Sequence, residues 1–102
     1  MVVHQHVNAR SIAEQIARHV RNERDIREIW MRESPDLLDL WIITGPISDE
    51  TELRIYDLTG DVLRDMPTGR LRLHVLHPAM FVEGTDLGAL VARGAKRVDV
   101  QR

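Results

Sequence analysis

Cysteine is absent from the 102 residues. That excludes disulfides, zinc–thiolate sites, iron–sulfur clusters and cysteine nucleophiles. Aromatic residues are scarce, at 4%, so the core has to be built mainly from Leu, Ile, Val and Ala. Lysine is nearly missing as well. One residue, Lys96, stands against thirteen arginines. Arg is the better fork for phosphate and carboxylate, although a codon bias toward GC produces the same imbalance. No apolar run approaches the ~20 residues of a membrane span. The first residues, "MVVHQHVNAR", lack the charged start and long apolar middle of a secretory signal. A soluble, cytoplasmic protein with no membrane partner is expected.

What is there is ordinary globular composition, 43% hydrophobic and 29% charged, with a net charge of −2. The charge gives no reason to expect a polyanion. The length allows one domain, residues 1–102, with one core. A domain of this size buries a modest share of its surface, so pairing with a second copy would help it. Residues 1–7 are short and β-branched, and read as a loose terminus or an edge strand.

Hydrophobic spacing predicts a first helix from Asn8 or Ser11 to about Glu33. Ser11-x-x-Glu14 has the form of a capping box. Ser34-Pro35 ends the helix, because a residue before proline resists helical geometry. Ala9, Ile12, Ala13, Ile16, Val20, Ile26 and Trp30 share its apolar stripe. Glu23 and Arg27 interrupt that stripe, four apart and able to pair along the helix. "DLLDLWIIT", 36 to 44, reads as a central strand covered on both faces. Gly45-Pro46 stops it. A second helix follows, capped by Ser48 or Asp49. Its apolar arc is too wide for a sheet alone, and needs the first helix or a second subunit. After the break at Pro67-Thr68-Gly69, "RLRLHVLH" alternates cleanly, with Arg70, Arg72 and His74 on one side. A short helix from about Thr85, closed by Gly94, and a last strand in "KRVDV" complete the chain.

The expected fold is therefore α/β. It is a small, largely parallel sheet of two to four strands with helices packed on it, in the order α-β-α-β-α-β.

Two candidate surfaces follow. Ligands bind beyond the carboxyl ends of parallel strands. If the two central strands are parallel neighbours, Thr44, Gly45, Ser48, Asp49 and His77 gather there. Unpaired N–H groups of the second helix would join them and could hold an anion. His77 is the candidate acid or base. The plain alternative is a Gly-Pro turn, a helix cap and a strand end. The other surface is an interface built on Glu23, Arg27, Ile55, Leu58 and Val62, from the interrupted first helix and the wide arc of the second. His74 and His77 should point apart, since three is an odd step along a strand. His4 and His6 find no further ligands. No metal and no cofactor is expected. The arginines of the first helix are nearly balanced by its acids, so nucleic acid is not an expected partner.

From Pro35 to the end, the pattern "LLDLWIITGPISDETELRIYDLTGDVLRDMPTGRLRLHVLHPAMF" resembles small uncharacterised bacterial α/β proteins. They combine an apolar strand, an acidic-capped helix with a Tyr and a second strand ending in H-V-x-x-P. The resemblance covers about two thirds of the chain and carries no assigned activity. A remoter similarity is to minimal nucleotidyltransferases. The Gly-Ser motif and the Asp-x-Asp pair of that family are missing here, so it implies no catalysis by that route.

The leading functional expectation is a non-enzymatic, self-associating module for protein interaction, with a protein partner left unidentified. The alternative is an anion- or nucleotide-binding protein, or an enzyme, working at the strand ends around His77.

Overall fold

The computed structural model describes residues 9–35, 37–64 and 71–100. The expectations for residues 1–7, for His4 and His6, for Arg70 and for the break at 67–69 lie outside them. The described chain forms α1 (Ala9–His19), β1 (Ile26–Ser34), β2 (Leu37–Thr44), α2 (Asp49–Arg64), β3 (Leu71–Leu76) and β4 (Lys96–Val98). Two short 3-10 turns, Pro78–Met80 and Leu87–Leu90, lie between β3 and β4.

The sheet corrects the expected fold. It has four strands in the order β3-β2-β1-β4. Among neighbouring strands only β2 and β3 pair in parallel, and β1 runs antiparallel to both β2 and β4. The expected α-β-α-β-α-β order fails for the same reason. The segment expected to continue the first helix is strand β1, and α1 stops at His19. Pro35 ends β1 rather than a helix. Only residues 35 and 36 separate β1 from β2, and a connection that short joins antiparallel neighbours.

A β-bulge explains why β1 looks helical. Ile26 pairs with Thr44, Glu28 pairs with Ile43, and Arg27 is the extra residue. The bulge resets the alternation. Ile26 and Ile29 then both face the core, at a spacing of three that mimics one helix face. Beyond it the alternation is regular, with Ile29 and Met31 inward.

Both helices cover one face of the sheet. α1 contributes Ile12, Ala13, Ile16, Ala17 and Val20, and α2 contributes Ile55 and Val62. They meet Leu38, Leu40 and Ile42 of β2 and Val75 of β3. Each fully buried aliphatic side chain contributes about 1.5–3 kcal/mol. α1 packs against α2 as well as against the sheet. α1 thus covers part of the apolar arc of α2 within one chain, while Leu53 and Tyr56 of that helix stay exposed.

Trp41 and Ile43 are also buried, yet neither belongs to this cluster. They alternate with Leu40 and Ile42 and so occupy the opposite face. The connection from β3 to β4 has to travel from one edge of the sheet to the other between parallel strands. It runs in the opposite direction to the α2 crossover. A shared right-handed sense puts the two connections on opposite faces, and the burial of Trp41 and Ile43 agrees with such cover.

Candidate functional site

The face away from the helices carries the densest polar constellation among the described residues. Asp39 lies in the middle of β2, opposite Arg32 of β1 and Arg72 of β3 in register. Its side chain is only 2% exposed. Arg32 Nη2 donates to Asp39 Oδ2 over 3.3 Å. Arg72 Nε lies 3.8 Å from Asp39 Oδ1, and His74 Nε2 lies 3.3 Å from that same oxygen. A buried carboxylate left alone is costly, and three basic side chains from two flanking strands offset that cost here.

Trp41 organises the same row. It pairs with His74 in register, and their rings stack with centroids 5.2 Å apart and planes 13° apart. The Arg32 guanidinium sits 6.0 Å from the Trp41 ring centre, within reach of a cation–π interaction. Asp39 and Trp41 therefore fix His74 in both position and ring plane. An ionised carboxylate only accepts, so the neutral imidazole carries its proton on Nε2. His74 Nδ1 has no hydrogen-bond partner among the described residues.

The basic side chains stay accessible. Arg32 is 43% exposed, Arg72 62% and His74 33%. Two arginines against one carboxylate leave one surplus positive charge, and protonation of His74 makes it two. Most N–H donors of both guanidinium groups remain unengaged by Asp39. Arg97 and Glu28, 3.8 Å apart, form a neutral pair farther along this face. With Asp39 already bracketed by arginines, the cluster suits an anion rather than a metal ion.

The strand-end constellation has a different character. β2 and β3 are parallel neighbours, and Ile43 lies opposite Leu76. Thr44 and His77 thus leave the sheet at the same end. Thr44 is buried, and its hydroxyl donates to the carbonyl of Gly45 over 2.8 Å. Ser48 Oγ accepts from the backbone N–H of Thr51, as a helix cap does. Asp49 is exposed at the helix start. His77 is buried, and its Nε2 donates to Glu52 Oε1 over 2.6 Å. Its Nδ1 is buried without a partner among the described residues. The strand-end location thus already holds a carboxylate, Glu52, next to His77, and this repels an incoming anion. His74 and His77 do point apart, one to Asp39 and the other to α2.

The expected interface residues separate. Ile55 and Val62 are core residues, and Leu58 packs against the core. Glu23 and Arg27 do not share a helix. Glu23 receives both Nε and Nη2 of Arg54, the latter at 3.0 Å. That bidentate bond draws the Glu23 pKa below the usual carboxylate value, against the upward push of burial. Arg27 stands at the bulge with its guanidinium against Gly45.

Exposed large apolar side chains are Leu53 and Tyr56 on α2, and Met80, Val82 and Leu90 on the β3–β4 connection. Pro78, Phe81 and Leu87 line a shallow apolar groove in that connection.

Asp39 is the key residue that spacing alone passes over. The signal was present. It is the one charged residue in the run "LLDLWIIT", where a residue facing an apolar layer would be apolar.

No family model, curated protein or solved structure matches the chain.

Proposed function

We propose that this protein binds an anionic group on the sheet face away from its helices. Arg32 and Arg72 are the recognition forks, and Asp39 is their positioning residue. One observation carries the reading: a carboxylate 2% exposed gathers two arginines and a histidine that are themselves 33–62% exposed. The buried charge preorganises the basic groups, and the accessible donors remain for a ligand. Fixed donors bind better than mobile ones, because less side-chain entropy is lost on binding. The expected ligand is a phosphate or carboxylate borne by a small molecule. The test is a titration with sulfate followed by backbone NMR. Shifts centred on Arg32, Asp39, Arg72 and His74 support the reading, and their loss in the Arg32→Gln/Arg72→Gln double variant assigns them.

Self-association is the second reading. It is favoured by Val82, 83% exposed, together with Met80 and Leu90 on the same connection. Exposed apolar side chains gathered on one segment mark interaction surfaces more often than scattered ones do. Sedimentation equilibrium tests it directly. The absence of cysteine suits a cytoplasmic place for either reading.

A further inference from the structure

We infer that the sheet-face site prefers dianions of the phosphate-monoester class, and that His74 provides the preference by taking up a proton when such a ligand binds. The inference rests on the anion-binding reading above and adds ligand class and proton coupling to it.

Charge matching is the first argument. With His74 neutral, Arg32, Arg72 and Asp39 sum to one positive charge, which matches a monoanion. With His74 protonated the sum is two, which matches a dianion. Among the described residues, the groups facing His74 are Asp39 and Trp41 of β2, Arg72 of its own strand and Arg32 of β1 across Trp41. The Glu28–Arg97 pair on the same face is internally neutral. Histidine is the side chain that proteins ordinarily use for proton uptake and release.

Geometry is the second argument. Asp39 engages Nε2, and the ring plane is set by the Trp41 stack. A proton added to His74 therefore goes to Nδ1, which has no partner among the described residues. It creates a new donor on a side chain that is one third exposed. Protonation thus adds both a charge and a hydrogen bond without rebuilding the cluster. By linkage, a ligand that binds the protonated form more tightly must also promote protonation.

The experiment compares sulfate, a dianion throughout the range, with nitrate, a monoanion throughout it. Dissociation constants are measured by NMR at pH 6 and pH 8 and constant ionic strength, for the wild type and His74→Gln. The expected result is that sulfate binds the wild type about tenfold more tightly at pH 6 than at pH 8. Nitrate gains much less, and His74→Gln still binds sulfate but without the pH dependence. Equal sulfate affinity at both pH values overturns the proton coupling and leaves anion binding standing. A pH dependence that persists in His74→Gln does the same. Equal gains for sulfate and nitrate overturn the dianion preference. No binding of either ion up to roughly tens of millimolar overturns the underlying reading as well.

Discussion

Asp39 and His74 lie 3.3 Å apart across the one parallel strand pair of the sheet. They are not directly opposite in register. Asp39 faces Arg72 and Trp41 faces His74, so the histidine reaches diagonally to the carboxylate while its ring rests on Trp41. This diagonal joins two rows of the face into one unit. Removing the carboxylate should therefore disturb more than a single contact.

Asp39→Asn is expected to destabilise the fold by about 1–3 kcal/mol. A fully buried ion pair would lose more when broken, but Arg32 and Arg72 are half in solvent and can rehydrate. Urea denaturation with an unchanged slope checks this.

Arg72→Gln is expected to act on binding rather than on stability. Its 3.8 Å ion pair is exposed on the arginine side, so stability should change by no more than about 0.5 kcal/mol. Sulfate binding should nevertheless weaken about tenfold, equivalent to about 1.4 kcal/mol of one charge-assisted contact. A variant that unfolds readily yet binds normally would reverse the roles assigned to Arg72 and Asp39.

Glu23 and Arg54 join the loop after α1 to helix α2. Because the folded-state pKa of Glu23 lies below its ordinary value of 4.5, the unfolded chain binds the proton more readily. The stabilisation is complete above that ordinary value and is lost as pH falls through the lower folded-state value. Melting temperature followed from pH 6 into the acid range should fall more steeply for the wild type than for Glu23→Gln, with the two curves parallel at higher pH.

His77 and Glu52 tie the end of β3 to the first turn of α2. Glu52→Gln keeps the shape and removes the charge. It should cost about 1–2 kcal/mol, because the bond is charge-assisted and His77 is buried. Sulfate binding at the sheet face should be unchanged, and loss of it would point back to the strand end.

Much of the scaffold was legible. β2, α2 and β3 follow from an apolar run, an acidic cap and clean alternation. The parallel pairing of β2 with β3 follows from the helix between them. β1 was not legible, because the bulge at Arg27 places Ile26 and Ile29 three apart on the core side. A bulge depends on pairing with β2, which spacing within one segment does not reveal. The site was half legible. Arg72 and His74 appear on one face from alternation alone, whereas Asp39 joins them through the parallel register of β2 with β3 and Arg32 through the antiparallel register of β1 with β2. The wide arc of α2 calls for the first helix or a second subunit; α1 packs against it, and Leu53 and Tyr56 stay exposed.

A sulfate titration of the wild-type protein, followed residue by residue in backbone NMR spectra, bears most directly on the anion site. Saturable shifts centred on Arg32, Asp39, Arg72 and His74 are the predicted result. Shifts centred instead on Thr44, Gly45, Ser48 and His77, or no saturable shift at all, would contradict it.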